Sequence, residues 1–286
     1  MKIASLIHTR TFYADFNSDF LVRPDEFTVE DIKWARKNVL EATSYIDNLQ
    51  GERWVIFENA KYRVAGVVGF IKSICSKCNL SEETYRNSSH LFYDEKGRLI
   101  YAFIGVVIDK DNTQDIGVLS LDYLYKTYYN KILPIWRRTY QDVILEAFEQ
   151  VILEDRDNVY SDKCVKIGNK RYYEFNSNKD YELFSHLFNS MWDQNVSFCS
   201  NMNNYNLVKK SSFIIMTTSP SIITRLKKDY DEMNKTLREN IKELEDVEKE
   251  EPDKELEDKK KNSVILVPLL MILTIIIVVF LLVQIM

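Results

Sequence analysis

The chain contains, at residues 100–108, the continuous apolar run Ile-Tyr-Ala-Phe-Ile-Gly-Val-Val-Ile. The run has the length of a strand, and its β-branched and aromatic residues favour extended backbone. Alternate residues of a strand point to opposite sides of the sheet, so a strand that is apolar throughout needs cover on both faces. The run therefore predicts a central, fully buried strand.

Further strands are predicted on either side of this run. The run Tyr62–Ile74 contains Gly66 and Gly69, which disfavour helix, so it is either one long strand or a strand that passes into a helix near Cys75. Two hairpins are predicted from turns that place a glycine between apolar arms. The other predicted strands and hairpin arms are Ile3–Thr9, Trp54–Phe57, Leu91–Tyr93 and Leu99–Ile108 around Asp94–Gly97, Cys164–Ile167 and Arg171–Phe175 around Gly168–Lys170, and Phe213–Met216.

Helices are predicted from apolar residues at spacings of three and four. Thr28 and Asp31 form a variant capping box before an apolar stripe that reaches Leu49, and Gly51 is expected to end that helix. Further helices are expected at Leu119–Ile132, Ile135–Leu153, Tyr181–Trp192 and, opened by Ser219-Pro220, at the start of the C-terminal part. The predicted fold is α+β, with a mixed or antiparallel sheet and packed helices.

Changes in composition divide the chain into five parts. A charged stretch without apolar spacing, Glu154–Asp162, indicates a boundary within the globular body. The predicted parts are residues 1–153 and 154–218 of the α+β body, a helical stem at 219–251, a charged collar at 252–263, and a transmembrane helix at 264–285.

The run from Val264 to Ile285 contains no charged side chain. A hydrocarbon core of about 30 Å needs roughly 20 apolar residues in helical form, and this run is long enough. Pro268 falls in the first turn, where proline removes an N–H that has no helical acceptor. The run predicts a helix that spans a lipid bilayer, and the alternative is a buried core helix.

Positive charge next to the span predicts its orientation. Lys259, Lys260 and Lys261 precede it, and no Lys or Arg follows. Since positive charge stays on the cytoplasmic side, we expect a tail-anchored, single-pass protein whose N-terminal body is cytoplasmic, in a membrane that the sequence does not specify. Met1–Ile7 is too short for the apolar region of a secretory signal.

The stem carries apolar residues in a heptad pattern, which is typical of a coiled coil. Asn240 is the polar member of this seam, and Pro252 ends the pattern. The alternatives are a helix that packs on its own domain or a solvated spacer. The seam positions, through which we expect contact with a protein partner or a second copy, are Ile223, Leu226, Tyr230, Met233, Leu237, Asn240, Leu244 and Val247.

Composition and motifs limit the chemistry. The net charge of −5 argues against nonspecific nucleic-acid binding, which needs a basic face. Cys75 and Cys78 have the spacing of a zinc or redox motif, but a zinc site would also need the distant Cys164 and Cys199. We therefore expect reduced cysteines without a cofactor, and a zinc site or a redox pair is the alternative.

No catalytic pattern is recognisable in the sequence. His8, His90 and His186 lie in no hydrolase or metalloprotease motif, and Asp109 and Asp111 most simply form a solvated turn after the central strand. We therefore assign no catalytic, cofactor-binding or metal-binding residue. The expected function is a membrane-tethered interaction or signalling module, and a membrane-bound enzyme with an unrecognised site is an alternative.

The order of a globular body, a helical seam and an apolar span resembles the vesicle-fusion helix proteins that have an N-terminal longin domain. The resemblance implies a membrane-trafficking factor whose helix joins a four-helix assembly. That family has a glutamine or arginine in the central layer of its seam, whereas Arg238 lies off the seam here and Pro252 follows about four heptads.

Overall fold

The computed structural model describes residues 2–17, 19–112, 117, 119–139, 142–151, 153, 160, 162–190 and 196–250. It has an α+β fold with a mixed sheet and several helices, as the sequence predicts. The predicted collar and transmembrane segment lie outside the described residues. Within the described part of the chain, no helix has the length and apolar character needed to cross a membrane.

The sheet is antiparallel at its centre and has parallel pairs towards both edges. The order is β6-β2-β1-β5-β4-β3-β10-β11-β9-β8, and β7 also pairs with β1. The parallel pairs are β2 with β6, β10 with β11, and β11 with β9. The strands are β1 Lys2–Thr9, β2 Val22–Pro24, β3 Arg53–Glu58, β4 Tyr62–Phe70, β5 Tyr101–Asp109, β6 Ile144–Glu146, β7 Glu149–Gln150, β8 Val165–Ile167, β9 Lys170–Glu174, β10 Phe198–Cys199 and β11 Ile215–Thr218.

The helices occur between the strands and after the last one. They are α1 Val29–Thr43, α2 Ile71–Lys77, α3 Glu82–Ser88, α4 Leu121–Ile132, α5 Ser177–Ser190, α6 Tyr205–Lys210 and α7 Pro220–Glu250. Short 3-10 turns lie at Ile46–Asn48, Ser89–Phe92, Lys110–Asn112 and Leu133–Ile135. Two compact units result: Met1–Lys166 with Lys170–Ile223, and Ile167–Asn169 with the described chain from Thr224 onward.

Strand β5 is the predicted central strand. It lies between β1 and β4, and its residues from Ala102 to Ile108 are buried. On one face, Ile104 belongs to the same apolar cluster as Tyr128 of α4. On the other face, the ring of Phe103 lies 6.4 Å from that of Phe57, which in turn lies 5.2 Å from Trp34 of α1. Cover on both faces is thus confirmed.

Helix α1 begins as predicted but ends earlier. Thr28 Oγ1 accepts from the N–H of Asp31 at 3.2 Å, and the Asp31 carboxylate accepts from the N–H of Thr28 at 3.1 Å, which completes the capping box. The helix ends at Thr43 because Ser44 is extended and Tyr45 is left-handed, with φ 56°. Gly51 also has positive φ, 93°, but in a later turn, so the prediction that it ends the helix is wrong.

The predicted helix over Ile135–Leu153 is also wrong. The described residues there include the short strands β6 and β7 and no α-helix. Their backbone groups find partners on existing strands: the N–H of Ile144 donates to Leu21 O at 2.9 Å, and Glu146 O accepts from the N–H of Asp25 at 2.9 Å. Pairing with a neighbouring strand, which is a tertiary contact, overrides the local helical spacing.

Both predicted turns occur, but one hairpin arm differs. Gly97 and Gly168 have positive φ, 72° and 60°, as turn glycines require. Around Gly97 only Tyr93 and Leu99 form a bridge, because the preceding residues Ser89–Phe92 form a 3-10 turn and not a strand. Around Gly168, β8 and β9 are the predicted arms.

Several other predicted elements occur with shifted bounds. Strand β4 does pass into a helix, α2, at Ile71. Helix α5 starts at Ser177, ahead of the predicted Tyr181, because the side chain of Asn176 accepts from the N–H of Asn178 at 3.1 Å. Residues on both sides of Glu154–Asp162 join one sheet, for example in the pair Phe198 and Ile56. The proposed domain bounds stay predictions.

Candidate interaction surface on the long helix

Helix α7 is the longest element of the described chain, and it begins at Pro220. Proline suits the first helical position, since its φ is preset and no N–H is needed there. The carbonyl of the preceding Ser219 accepts from the N–H groups of Ile222 at 3.1 Å and Ile223 at 3.2 Å, which closes the first turn. Helix α7 extends to Glu250.

The predicted seam positions differ in exposure along α7. Ile223 and Leu226 are each only 6% exposed. Tyr230 is half-buried, and Asn240 is exposed. The side chains of the last two seam positions, Leu244 and Val247, lie outside the described residues.

Three apolar side chains form an exposed row on this helix, which we call the apolar stripe: Met233, Leu237 and Ile241. They are 38%, 48% and 54% exposed. At spacings of four they lie above one another on one helix face. Asn240 is polar and occupies the strict heptad position. The next residue, Ile241, supplies the apolar side chain of the stripe at this turn of the helix.

Charged pairs cover another part of the helix surface. Lys228 lies 3.7 Å from Glu232, and Lys235 lies 3.8 Å from Glu239, both at i,i+4 spacing and both well exposed. Exposed pairs of this kind stabilise a helix by only about 0.3–0.5 kcal/mol each. Burial of a Leu or Ile side chain is worth roughly 1.5–3 kcal/mol. Burial of the apolar stripe by a partner would therefore contribute more free energy than the ion pairs on this part of α7.

The cysteine pair lies where α2 ends. Cys75 is buried, and burial raises the pKa of its thiol. Burial, and then the nearby Asp122, raise the pKa of Cys78 to about 12. The Cys78 thiol donates to Ile74 O at 3.3 Å. Both thiols are therefore protonated at neutral pH in the metal-free protein. Among the described residues no group of His, Cys, Asp or Glu is arranged to hold a metal ion.

The three histidines lie on three different elements. His8, on β1, stacks on Phe16 with ring centroids 4.9 Å apart, and burial lowers its pKa to about 4. His90 lies in the 3-10 turn after α3, and His186 lies on α5 with its ring 6.4 Å from that of Tyr160. Asp109 Oδ1 accepts from the N–H of Asp111 at 3.1 Å, which makes these carboxylates part of a turn.

A buried polar cluster that the sequence reasoning missed joins α5 to the sheet. Thr217 Oγ1 accepts from the N–H of Asn201 at 2.8 Å and donates to Asp180 Oδ2 at 2.7 Å. Asn201 has a positive φ of 52°. Burial raises the pKa of Asp180 to about 6, although its hydrogen bonds to Thr217 and to the N–H of Asn176 act in the opposite direction. These residues are scattered in sequence, so spacing carried no signal for the cluster.

Two buried arginines bind structural partners. Arg53 is fully buried and donates to the carbonyls of Ala42 at 2.7 Å and Asn201 at 3.0 Å. Arg63 pairs with Glu58 at 2.6 Å. Lys110 also contacts Glu58, at 2.9 Å. Each charge is matched by a buried acceptor, so we interpret both groups as parts of the scaffold.

Comparisons with known protein families, with curated proteins and with solved structures found no match to this chain.

Proposed function

We propose that this protein is a single-pass membrane protein that presents its α+β body at a membrane surface and binds a protein partner through helix α7. The observation that carries the proposal is the apolar stripe Met233, Leu237 and Ile241, which is exposed on a helix that continues to Glu250. An exposed row of apolar residues on a long helix is the face that helical partners bury in coiled coils and grooves.

The sequence that follows α7 supports the membrane part of the proposal. Val264–Ile285 is free of charged side chains and long enough to span a bilayer, and Lys259–Lys261 precede it. Under the positive-inside rule these lysines favour a cytoplasmic body. The partner helix would then bind close to the membrane, because only the charged collar separates it from the span.

The residues that flank the seam favour a different protein over a second copy as the partner. In a parallel pair of identical helices, residues at g positions face residues at e positions of the other helix. With Leu237 at position a, this register places Asp229 opposite Asn234 and Thr236 opposite Ile241. Neither pairing joins opposite charges. We therefore propose that the partner is a helix of another protein, with apolar residues that pack on the stripe.

The first test removes the stripe without changing the helix or its charge. The double variant L237Q/I241Q replaces two exposed apolar residues by glutamine, which is a comparably good helix former to leucine. The matched control E239Q/K242Q changes two exposed charged residues of the same helix and keeps the net charge. We expect proximity labelling from the N-terminal body, in the native membrane, to lose a defined set of proteins in the stripe variant only.

Purified protein provides the complementary measurement. Sedimentation velocity of the full chain in detergent should give a monomer, since the proposed partner is another protein. Labelling that is identical in wild type, stripe variant and control would refute a role of α7 in partner binding. If the wild-type chain is a dimer and L237Q/I241Q is a monomer, the partner is a second copy of this chain and not another protein.

The second candidate function is a membrane-trafficking factor. The observation that favours it is the order of the α+β body, the exposed apolar stripe on helix α7 and the apolar run Val264–Ile285, which is the order on which the resemblance above rests. Mixing the purified chain with soluble fusion helices tests it: a stable four-helix assembly would support trafficking, and no assembly would remove this candidate.

A further inference from the structure

A basic surface pocket lies at the turn that follows α4. It has a volume of about 420 Å³ and is lined by His90, Leu133, Pro134, Trp136, Arg137 and Arg138. Pockets that bind small molecules generally measure roughly 300–1,000 Å³. Three of the six lining residues carry basic side chains, and none is acidic. We call this the basic pocket.

The two guanidinium groups of the pocket have no ionic partner among the described residues. Arg137 and Arg138 are both exposed. The guanidinium carbon of Arg137 lies 5.5 Å from the centroid of the Phe12 ring, so an aromatic contact and not a carboxylate orients it. Burial, and after it the charge of Arg137, lower the pKa of His90.

Trp136 adds a buried donor to the wall of the pocket. Its side chain is only 2% exposed, and its indole Nε1 has no hydrogen-bond partner in the part of the chain that is described. The N–H of Phe12 donates to Trp136 O at 3.0 Å, which holds this residue in position. Because the Trp136 side chain lines the pocket, its indole N–H resonance reports on a ligand bound there.

We propose that the basic pocket binds a phosphate monoester. A phosphate monoester offers three acceptor oxygens and close to two negative charges, which matches two adjacent guanidinium groups and an imidazole better than a single carboxylate does. Arginine forks bind phosphate oxygens in pairs. The apolar wall of Leu133 and Pro134 fits the carbon skeleton that carries the phosphate. Soluble metabolites and lipid headgroups share this chemistry.

The test uses the full chain in detergent solution and the indole N–H resonance of Trp136, assigned with W136F. Inorganic phosphate and a soluble inositol phosphate are titrated, and binding is also measured by calorimetry. We expect the Trp136 resonance to shift and saturate. The variant R137Q/R138Q should bind at least tenfold more weakly, while K209Q/K210Q, which removes an adjacent pair of exposed cations on α6, should bind within twofold of wild type.

A further titration separates the two sources of phosphate. A dioctanoyl phosphatidylinositol that carries an additional phosphate monoester on its inositol ring offers the same group on a lipid, with dioctanoyl phosphatidylcholine as the control lipid. Much tighter binding of the lipid than of the free headgroup supports a membrane source, and equal binding supports a soluble one. The proposal is overturned if none of the phosphate probes shifts the resonance, or if R137Q/R138Q binds them as tightly as wild type does.

Discussion

At the scale of single residues, Asp180 is a carboxyl group that the fold removes from water. It is 2% exposed and accepts from Thr217 Oγ1 at 2.7 Å and from the N–H of Asn176 at 3.2 Å. Burial is the largest influence on this group and raises its pKa from 3.8 to about 6. His8 is the reverse case, because burial lowers its pKa to about 4 and it stays neutral in the folded protein. These two residues make opposite contributions to the pH dependence of stability.

The stability that protonated Asp180 contributes to the folded protein is lost as pH rises. Between pH 3.8 and about 6 the unfolded carboxyl releases its proton before the folded one does, so the free energy of unfolding falls by up to about 3 kcal/mol. The variant D180N should lack this loss. We expect its stability relative to wild type to increase from pH 4 to pH 7, as measured by urea midpoints. Both proteins contain His8, so its contribution to the pH dependence of stability is the same in each and does not affect the difference between them.

An exposed carboxylate supplies the control for that experiment. D231N, on the solvent side of α7, should follow the wild-type pH profile. If D180N also followed it, the raised pKa of Asp180 would be refuted.

At the scale of elements, the pairing of β4 with β5 depends on a close approach at two glycines. Gly66 lies opposite Gly105, and a Cβ placed on Gly66 would collide with the carbonyl oxygen of Ile104. Backbone atoms of a central strand cannot move aside without breaking the ladder. The two glycines are therefore needed for close approach, and not for an unusual φ.

A pair of alanine variants distinguishes these two uses of glycine. G66A should lower the free energy of unfolding by more than about 3 kcal/mol, in the range of severe packing defects. G97A adds its Cβ to open space and is strained only by φ 72°, so we expect a loss of about 1 kcal/mol. Urea unfolding of both variants measures the difference, and equal losses would show that the β4–β5 contact tolerates a side chain.

At the scale of the whole molecule, the proposed function combines a sheet-based body, the interaction helix α7 and an apolar segment outside the described residues. The body has apolar side chains packed on both faces of β5. The apolar segment Val264–Ile285 is what would hold that body at a bilayer.

Sealed vesicles of known sidedness test this arrangement. The intact chain should resist extraction by carbonate and should lose its body to protease added on the cytosolic side. Deletion of Val264–Met286 is the control and should release a folded, soluble protein. Carbonate release of the intact chain would disprove the membrane span, and protection from cytosolic protease would disprove the orientation.

Local sequence signals predicted the elements whose causes are local. The capping box of Thr28 and Asp31, the turn glycines Gly97 and Gly168, and the proline start of α7 all occur as predicted. The candidate interaction surface was visible as heptad spacing, although only the structure shows that Leu226 is buried and Leu237 is exposed. The basic pocket had no signal in sequence, because His90 and Arg137 meet only when the two turns that carry them pack together.

The sequence by itself determined that residues 101–108 belong to a strand covered on both faces, since a strand that is apolar on both faces must be shielded from water on both. It also determined where α1 and α7 begin, because capping and proline geometry act over a single turn. Only the tertiary structure decided that residues 144–146 and 149–150 pair as strands, that Asp180 meets Thr217, and which residues line the basic pocket. These contacts join residues far apart in the chain, and the free energy that selects them exists only once the sheet has formed.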